Sequence, residues 1–132
     1  MRFAQSLSTI DKRTQARRRK ERAGRVAEVV AALFLMAKGY RIVRRRERTK
    51  MGEIDLIAVR GRRLAFVEVK YRDQPSEPGS AVARRQSDRI ARAAEAWAWQ
   101  HKAYRNHDFG LDIITVAPWR WPRHLIDGLQ PI

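Results

Sequence analysis

The amino-acid sequence predicts a single small α/β domain in which helices pack on a mixed β-sheet. One apolar helix precedes three consecutive strand segments, of which the second and third are apolar, and a basic amphipathic helix and a further strand segment follow. No Gly-rich turn joins a strand to a helix, so the pattern is not that of a dinucleotide-binding domain. The chain has 132 residues, 44% of them hydrophobic, which is enough for one domain with one core.

The charge of the chain indicates its class of partner. Lys and Arg number 29 against 14 Asp and Glu, so the formal net charge is +15. A strongly basic surface holds polyanions by displacing their counterions, and nucleic acid is therefore the first expectation, although an anionic membrane surface or ribosomal RNA fits the charge equally well. The lack of Cys excludes disulfides, cysteine-ligated zinc and a thiol nucleophile. No apolar run suits a membrane span or a secretory signal, so we expect a cytoplasmic protein outside the membrane.

The first segment of the chain is basic. Residues 1–22 contain eight Lys or Arg, and we expect them to form an arm that is flexible or loosely helical, with residues 23–132 forming the domain. The arm either binds phosphates or is a solvated tail without a specific function. The candidate phosphate-binding residues in it are Arg17, Arg18, Arg19 and Lys20.

The first helix is predicted from about Arg25 to Lys38, with Gly39 as its C-terminal stop. Its side chains are apolar in nearly every direction, which predicts burial on most faces. Glu28 is the exception, and it either lies at an exposed edge or points into a polar site.

The remaining elements follow from runs of β-formers, turn residues and helical spacing. Strands are predicted at 40–46, 52–60, 63–71 and 111–117, a loop at 73–80, and a helix from 81 to about 102. The second and third strands should pair as a hairpin through the turn at 60–62, and the Trp- and Pro-rich segment from 118 onward should cover one edge. The basic face of the second helix supplies further candidate nucleic-acid contacts, Arg84, Arg85 and Arg89, and Arg72 precedes it.

Acidic side chains are predicted to meet at the end of this hairpin. Alternate residues of a strand share a face, which groups Glu53, Asp55 and Ile57 against Ile54, Leu56 and Ala58. The same rule groups Phe66, Glu68 and Lys70 on the next strand. Pairing of the two strands would place Asp55 close to Glu68 or one step diagonal to it.

Two neighbouring carboxylates raise one another's pKa unless a cation lies between them. Mg²⁺ or Mn²⁺ would bind both carboxylates and could also bind a phosphodiester oxygen and a water molecule, which Lys70 could then orient or deprotonate. The simpler alternative is a surface hairpin in which Glu68 and Lys70 form an ordinary ion pair and Asp55 is solvated.

The motifs GEIDLIAV at 52–59 and FVEVKYR at 66–72 resemble those of the YraN-like family of small bacterial proteins, which is similar to the PD-(D/E)XK nuclease superfamily. This resemblance implies a restriction-endonuclease-like fold, with a mixed sheet flanked by helices in the order α-β-β-β-α-β. It assigns Asp55 and Glu68 as metal ligands and Lys70 as the catalytic lysine. It also implies that Glu28 can bind the metal, directly or through water, and that Gln86 contacts the site.

The sequence departs from the family pattern at three positions. Arg46 stands where an Asn is expected, Gly110 where an Arg often precedes the last motif, and Leu111 where a Phe is expected. The ligand positions are intact, so these changes concern substrate contacts rather than metal binding.

Three functions are compatible with these patterns. The first is a Mg²⁺- or Mn²⁺-dependent endonuclease that cleaves DNA, including branched or damaged structures, as a possible homodimer. The second is a non-catalytic nucleic-acid-binding module that keeps the nuclease fold, and the third is an interaction protein that docks through its apolar C-terminal segment. The sequence leaves two roles open for Trp99, Trp119 and Trp121: they either pack on the rest of the protein or stack on unpaired bases. The three histidines are expected to be surface or capping residues, and Asp112 to cap a loop.

Overall fold

The structure, a computed structural model, describes residues 2–72 and 80–129, without the side chains of residues 2–8, 10 and 80–86. The elements in chain order are α1 (Arg2–Ala37), β1 (Arg41–Thr49), β2 (Gly52–Arg60), β3 (Arg63–Tyr71), α2 (Ser80–Gln100), a short 3₁₀ helix (Lys102–Tyr104), β4 (Asp108–Val116) and β5 (Arg123–Leu125). The predicted loop at 73–80 lies outside the described residues except for Ser80, which begins α2.

The five strands form one mixed sheet in the order β1-β2-β3-β4-β5. Strands β3 and β4 are parallel and are connected through α2, whereas the other neighbouring pairs are antiparallel. The predicted hairpin of β2 and β3 is present with the predicted bounds, and Gly61 at its turn has a φ of 60°, which glycine adopts without steric cost. The α/β class and the mixed sheet are therefore confirmed.

Each face of the sheet is covered by one helix. Helix α1 contributes Ala27, Ala31 and Leu35 to a core with Leu56 and Val67. The opposite face carries a second core, formed by α2 with the other side of the same strands through Ile57, Phe66, Ile90, Ala94 and Trp97. The two alternating sets of apolar residues in β2 and β3 thus build two separate core layers, as the period of two predicts.

Helix α1 differs from its prediction in length and in burial. It begins at Arg2 rather than near Arg25, so it runs through the predicted arm, where residues 11–22 are all exposed. Only one of its faces contacts the sheet. The prediction of burial on most faces is wrong, since four apolar side chains of the opposite face are 43–61% exposed: Val26, Val29, Leu33 and Met36.

The C-terminal segment extends the sheet instead of only covering it. Strand β4 begins at Asp108, three residues earlier than predicted, and β5 pairs with it through Leu125 opposite Ile113. The chain then returns to the core, where the Leu129 N–H donates to the Leu111 carbonyl at 2.9 Å. No helix in the described part of the chain is both long and apolar enough to cross a membrane.

Candidate functional site

Asp55 lies where β2 and β3 separate. The register of this pair ends at Leu56 opposite Val67, one residue before Asp55 would face Glu68. In place of a backbone carbonyl, the Asp55 carboxylate accepts the Val69 N–H through Oδ2 at 2.8 Å. The side chain therefore completes the ladder at the point where the hairpin opens, which fixes the orientation of its carboxylate.

The strand alternation predicted for β2 fails on the N-terminal side of Asp55. Ile54 belongs to the same core layer as Ile57, so the prediction that it shares a face with Leu56 and Ala58 is wrong. On the neighbouring strand, Arg46 lies between the residues paired with Leu56 and Ile54, and its φ is 51°. A left-handed residue interrupts the pleat, and Asn adopts this conformation more readily than Arg. The left-handed conformation at position 46 therefore explains why the family pattern has Asn there.

Burial raises the pKa of Asp55 to about 6. The hydrogen bond from Val69 opposes this shift, the charges of Glu68 and Glu28 add to it, and Lys70 lowers the pKa again. Burial has removed water from the Asp55 carboxylate, and among the described residues no cation in contact with it replaces the lost hydration. The ionised form would therefore be stabilised by a bound cation. The direction of the shift is the one expected for paired carboxylates, but burial contributes more to it than the charge of Glu68.

Glu68 is buried, with 6% of its surface exposed, and its two oxygens have different surroundings. Oε1 lies 2.9 Å from Nζ of Lys70 and 3.9 Å from Nη2 of Arg89. Oε2 is buried and has no hydrogen-bond partner among the residues that the structure describes. An unpaired buried carboxylate oxygen is costly and uncommon in folded proteins, and it marks a position where a cation or a donor is missing.

The residues present fit a hard divalent cation held by two carboxylates. Among the described residues no group of three or more His, Cys, Asp or Glu is arranged to hold a metal ion. Magnesium, however, keeps several waters and is commonly bound through one or two carboxylates. Asp55 and Glu68 are the residues that would hold it, and the unpaired Oε2 is the atom that indicates it.

Glu28 is not arranged as a third ligand. Its carboxylate accepts from Nε of Arg46 at 2.6 Å, and its side chain is 15% exposed. The ion pair connects α1 to the distorted part of β1, next to Asp55. Of the two alternatives left by the sequence, Glu28 thus occupies a polar site rather than a fully exposed edge, but arginine is its partner there.

The other predicted residues fall into three groups. The side chains of Gln86, Arg84 and Arg85 lie outside the described residues. Glu53 is 45% exposed and pairs with Arg48 at 3.8 Å, which fits a structural or solvated residue. The predicted phosphate-binding residues that can be described are all exposed: Arg17, Arg18, Arg19, Lys20, Arg72 and Arg89. Of these, Arg89 contacts the site directly, at 3.9 Å from Glu68.

A second buried polar cluster was not predicted. Asp112 is fully buried and accepts from Arg63 at 2.7 and 2.8 Å, from the Asp127 N–H at 2.8 Å, and lies 2.8 Å from Nε2 of His124. Nδ1 of His124 is in turn 2.6 Å from Nζ of Lys38. Burial raises the pKa of Asp112, but the hydrogen bonds from Arg63, His124 and Asp127 outweigh it and hold this pKa well below its usual range.

The predictions that His124 is a surface or capping residue and that Asp112 only caps a loop are therefore wrong. The His124 side chain is 2% exposed, and Asp112 lies in the middle of β4 with its partners on β3, on β5 and at Asp127, just after β5. The signal in the sequence was a charged residue inside the apolar run LDIITV, since a carboxylate in a buried strand requires partners. The missing Arg at position 110 is also explained, because a Cβ built on Gly110 would overlap the Arg63 guanidinium.

Fold and site together define a mixed α/β protein whose hairpin presents two carboxylates and a lysine where its strands diverge. The family profile described as Uncharacterised protein family UPF0102 matches residues 27–116. The UPF0102 protein of Nitrobacter winogradskyi is 49% identical over 108 residues, covering 82% of this chain and 92% of that protein. The one from Maricaulis maris is 44% identical over 111 residues, covering 84% and 87%. The chain belongs to the UPF0102 family, the YraN-like group.

Proposed function

We propose that this protein is a metal-dependent nuclease of the restriction-endonuclease-like fold, which hydrolyses phosphodiester bonds in DNA. The observation that carries the proposal is the buried Oε2 of Glu68, which has no partner within the described part of the chain and lies next to Lys70 and beside a carboxylate whose pKa is raised to about 6. An ordinary surface ion pair would leave neither a buried oxygen without a partner nor a desolvated second carboxylate.

The chain's own residues have distinct parts in this chemistry. Bound Mg²⁺ or Mn²⁺ would supply Lewis-acid activation of water and of a phosphodiester oxygen. Asp55 is held for binding by the Val69 N–H, and Glu68 by its contact with Lys70. The Lys70 ammonium, 2.9 Å from Oε1 of Glu68, is placed to orient the attacking water and to stabilise charge on the phosphate. Arg89 supplies further positive charge beside them.

A non-catalytic nucleic-acid-binding module is the second candidate function. It is favoured by the Glu28–Arg46 ion pair at 2.6 Å, which occupies the acidic residue that would otherwise complete a three-carboxylate site. The formal net charge of +15 supports phosphate binding under either function.

The test combines metal titration with cleavage. Calorimetry with Mg²⁺ and Mn²⁺ is run on the wild type, Asp55→Asn and Lys70→Ala, with Glu53→Gln as a matched control on the exposed side of β2. Each protein is then incubated with labelled duplex, single-stranded and junction DNA in Mg²⁺, Mn²⁺ and EDTA.

We expect Asp55→Asn to weaken metal binding and cleavage, Lys70→Ala to lose cleavage while binding metal, and Glu53→Gln to behave as the wild type. Equal metal binding by the wild type and Asp55→Asn would refute the site. Metal binding without cleavage of any substrate would favour the non-catalytic module.

A further inference from the structure

Two tryptophans at the turn between β4 and β5 are exposed to solvent. Trp119 and Trp121 are 101% and 89% exposed, and Arg120 between them is exposed as well. Exposed apolar residues of moderate size are common, but two adjacent and almost fully exposed indoles contribute nothing to the core. Their positions therefore indicate a contact with something outside the chain.

The turn presents these rings in a constrained conformation. Trp119 has a φ of 61°, which is unfavourable for a bulky side chain, and prolines at 118 and 122 restrict the backbone on both sides. The pairing of Thr115 with Arg123 closes the turn. Strain at an exposed position is retained when the conformation has a use, and a rigid turn loses little entropy when it binds a ligand.

The turn lies at the same end of the sheet as the carboxylate–lysine site. In the parallel β3–β4 pair, Lys70 is opposite Thr115 and Tyr71 opposite Val116, and the Arg72 N–H donates to the Val116 carbonyl at 2.9 Å. Four residues separate Thr115 from Trp119, so at about 3.3 Å per residue the indole-bearing turn starts within about 13 Å of that register position. Trp99, which is 74% exposed, packs instead beside Arg105, near the N-terminal end of β4.

The chemistry of the turn fits unpaired nucleotides. Flat aromatic faces bind bases by stacking, whatever the base, and arginines beside them bind the phosphates and add cation–π contacts. Arg120 lies between the two tryptophans in sequence and is exposed, and Arg72 and Arg123 are exposed on the adjoining strand ends. Bases inside a duplex are already stacked on one another, so the turn discriminates in favour of single strands and of duplexes with unpaired arms.

We propose that the turn at 118–122 is a stacking site for unpaired bases, which directs the neighbouring site to phosphodiesters at junctions between single- and double-stranded DNA. The direction of cleavage to junctions rests on the proposed nuclease function, whereas the binding of unpaired bases does not.

The test measures binding in EDTA, so it does not depend on cleavage. The probes are a labelled single strand, a fork with unpaired arms and a blunt duplex of matched sequence. The variants are the double substitution Trp119→Ala with Trp121→Ala, the pair Trp119→Phe with Trp121→Phe, which keeps aromatic faces, and Trp99→Ala as an exposed-tryptophan control.

We expect the double alanine variant to bind the single strand and the fork more weakly, by roughly five- to 150-fold for each tryptophan that stacks, while duplex affinity is unchanged. The phenylalanine pair should retain most of the preference, and Trp99→Ala all of it. A direct reading is the quenching of tryptophan fluorescence by the single strand, which should be largely lost in the double alanine variant.

Several results would overturn the inference. These are an equal loss of affinity for all three DNAs, no loss for any of them, or an equal effect of Trp99→Ala. A double alanine variant that keeps DNA binding but loses binding to anionic lipid vesicles would assign the turn to a membrane surface instead. Cleavage of blunt duplex with no preference for unpaired arms would leave the nuclease proposal standing and refute the claim that the turn directs cleavage to junctions. Preferential binding to unpaired arms without cleavage of any substrate would support the stacking site and contradict the nuclease proposal.

Discussion

Replacing Asp55 with Asn should stabilise the protein in a pH-dependent manner. The pKa of Asp55 rises from 3.8 to about 6 on folding, mainly through burial. A difference of about 2 pH units corresponds to about 3 kcal/mol in the free energy of unfolding, as an upper figure. The folded pKa lies above the unfolded one, so the wild type loses this stability as pH rises from about 4 to about 6. Asparagine stays neutral, and its oxygen can still accept the Val69 N–H.

The assay is urea unfolding of the wild type and Asp55→Asn at several pH values between 4 and 8, without metal. The difference in unfolding free energy should grow in favour of the variant from pH 4 to pH 6 and then stay constant up to pH 8. Adding Mg²⁺ at pH 7 should reduce the difference in unfolding free energy between the two proteins, because a ligand that binds only the folded wild type stabilises that protein.

The control is Glu53→Gln, an exposed carboxylate on the same strand, for which no comparable pH dependence is expected. A difference between the wild type and Asp55→Asn that is independent of pH would refute the reasoning, since it would mean that Asp55 titrates alike in the folded and unfolded chains.

Three further predictions follow from charge and burial. Asp112→Asn should lower the free energy of unfolding by about 3–5 kcal/mol at neutral pH, because it breaks a buried charge pair with Arg63. This loss of stability should become smaller only in strong acid, because the pKa of Asp112 is depressed in the folded protein. A loss that already becomes smaller near pH 6 would contradict the prediction. Removing residues 1–22 should weaken nucleic-acid binding with little change in thermal midpoint, because the core residues of α1 begin at Ala27; a large drop in midpoint by calorimetry would show that the arm is part of the fold. Nucleic-acid affinity should fall steeply with salt and depend little on base sequence, given the net charge of +15; anisotropy titrations with little change between low and physiological salt would rule this out.

The hairpin and its site could be predicted because their information is local. Apolar runs bounded by Gly52 and Gly61 set the ends of β2 and β3, and the alternation within β3 places Glu68 and Lys70 on one face. The start of α1 was missed since Arg, Lys, Gln and Ala favour a solvated helix, whereas charge density alone suggested a flexible arm. Strand β5 has three residues in a Trp- and Pro-rich segment, too few for any period to be visible.

The parts of the site that could not be predicted depend on contacts between distant residues. Glu28 and Arg46 are 18 residues apart, and Lys38 and His124 are 86 apart. No spacing rule links such pairs, so the sequence could show that Glu28 and Asp112 require partners but could not name them. The break in alternation at Ile54 likewise depends on the left-handed Arg46 of the neighbouring strand.

The Arg63 guanidinium fills the space that a side chain at position 110 would need, so the residues at these two positions depend on one another. A Cβ at 110 would overlap the guanidinium that now neutralises Asp112, so a side chain there would require Arg63 to move away from its present position. Relatives that carry the family's arginine before the last motif should therefore have a small or flexible residue at the position of Arg63 on β3. In this chain, exchanging the two residues together should preserve the charge balance around Asp112, whereas either substitution alone would crowd the strand pair or leave a buried carboxylate without its cation.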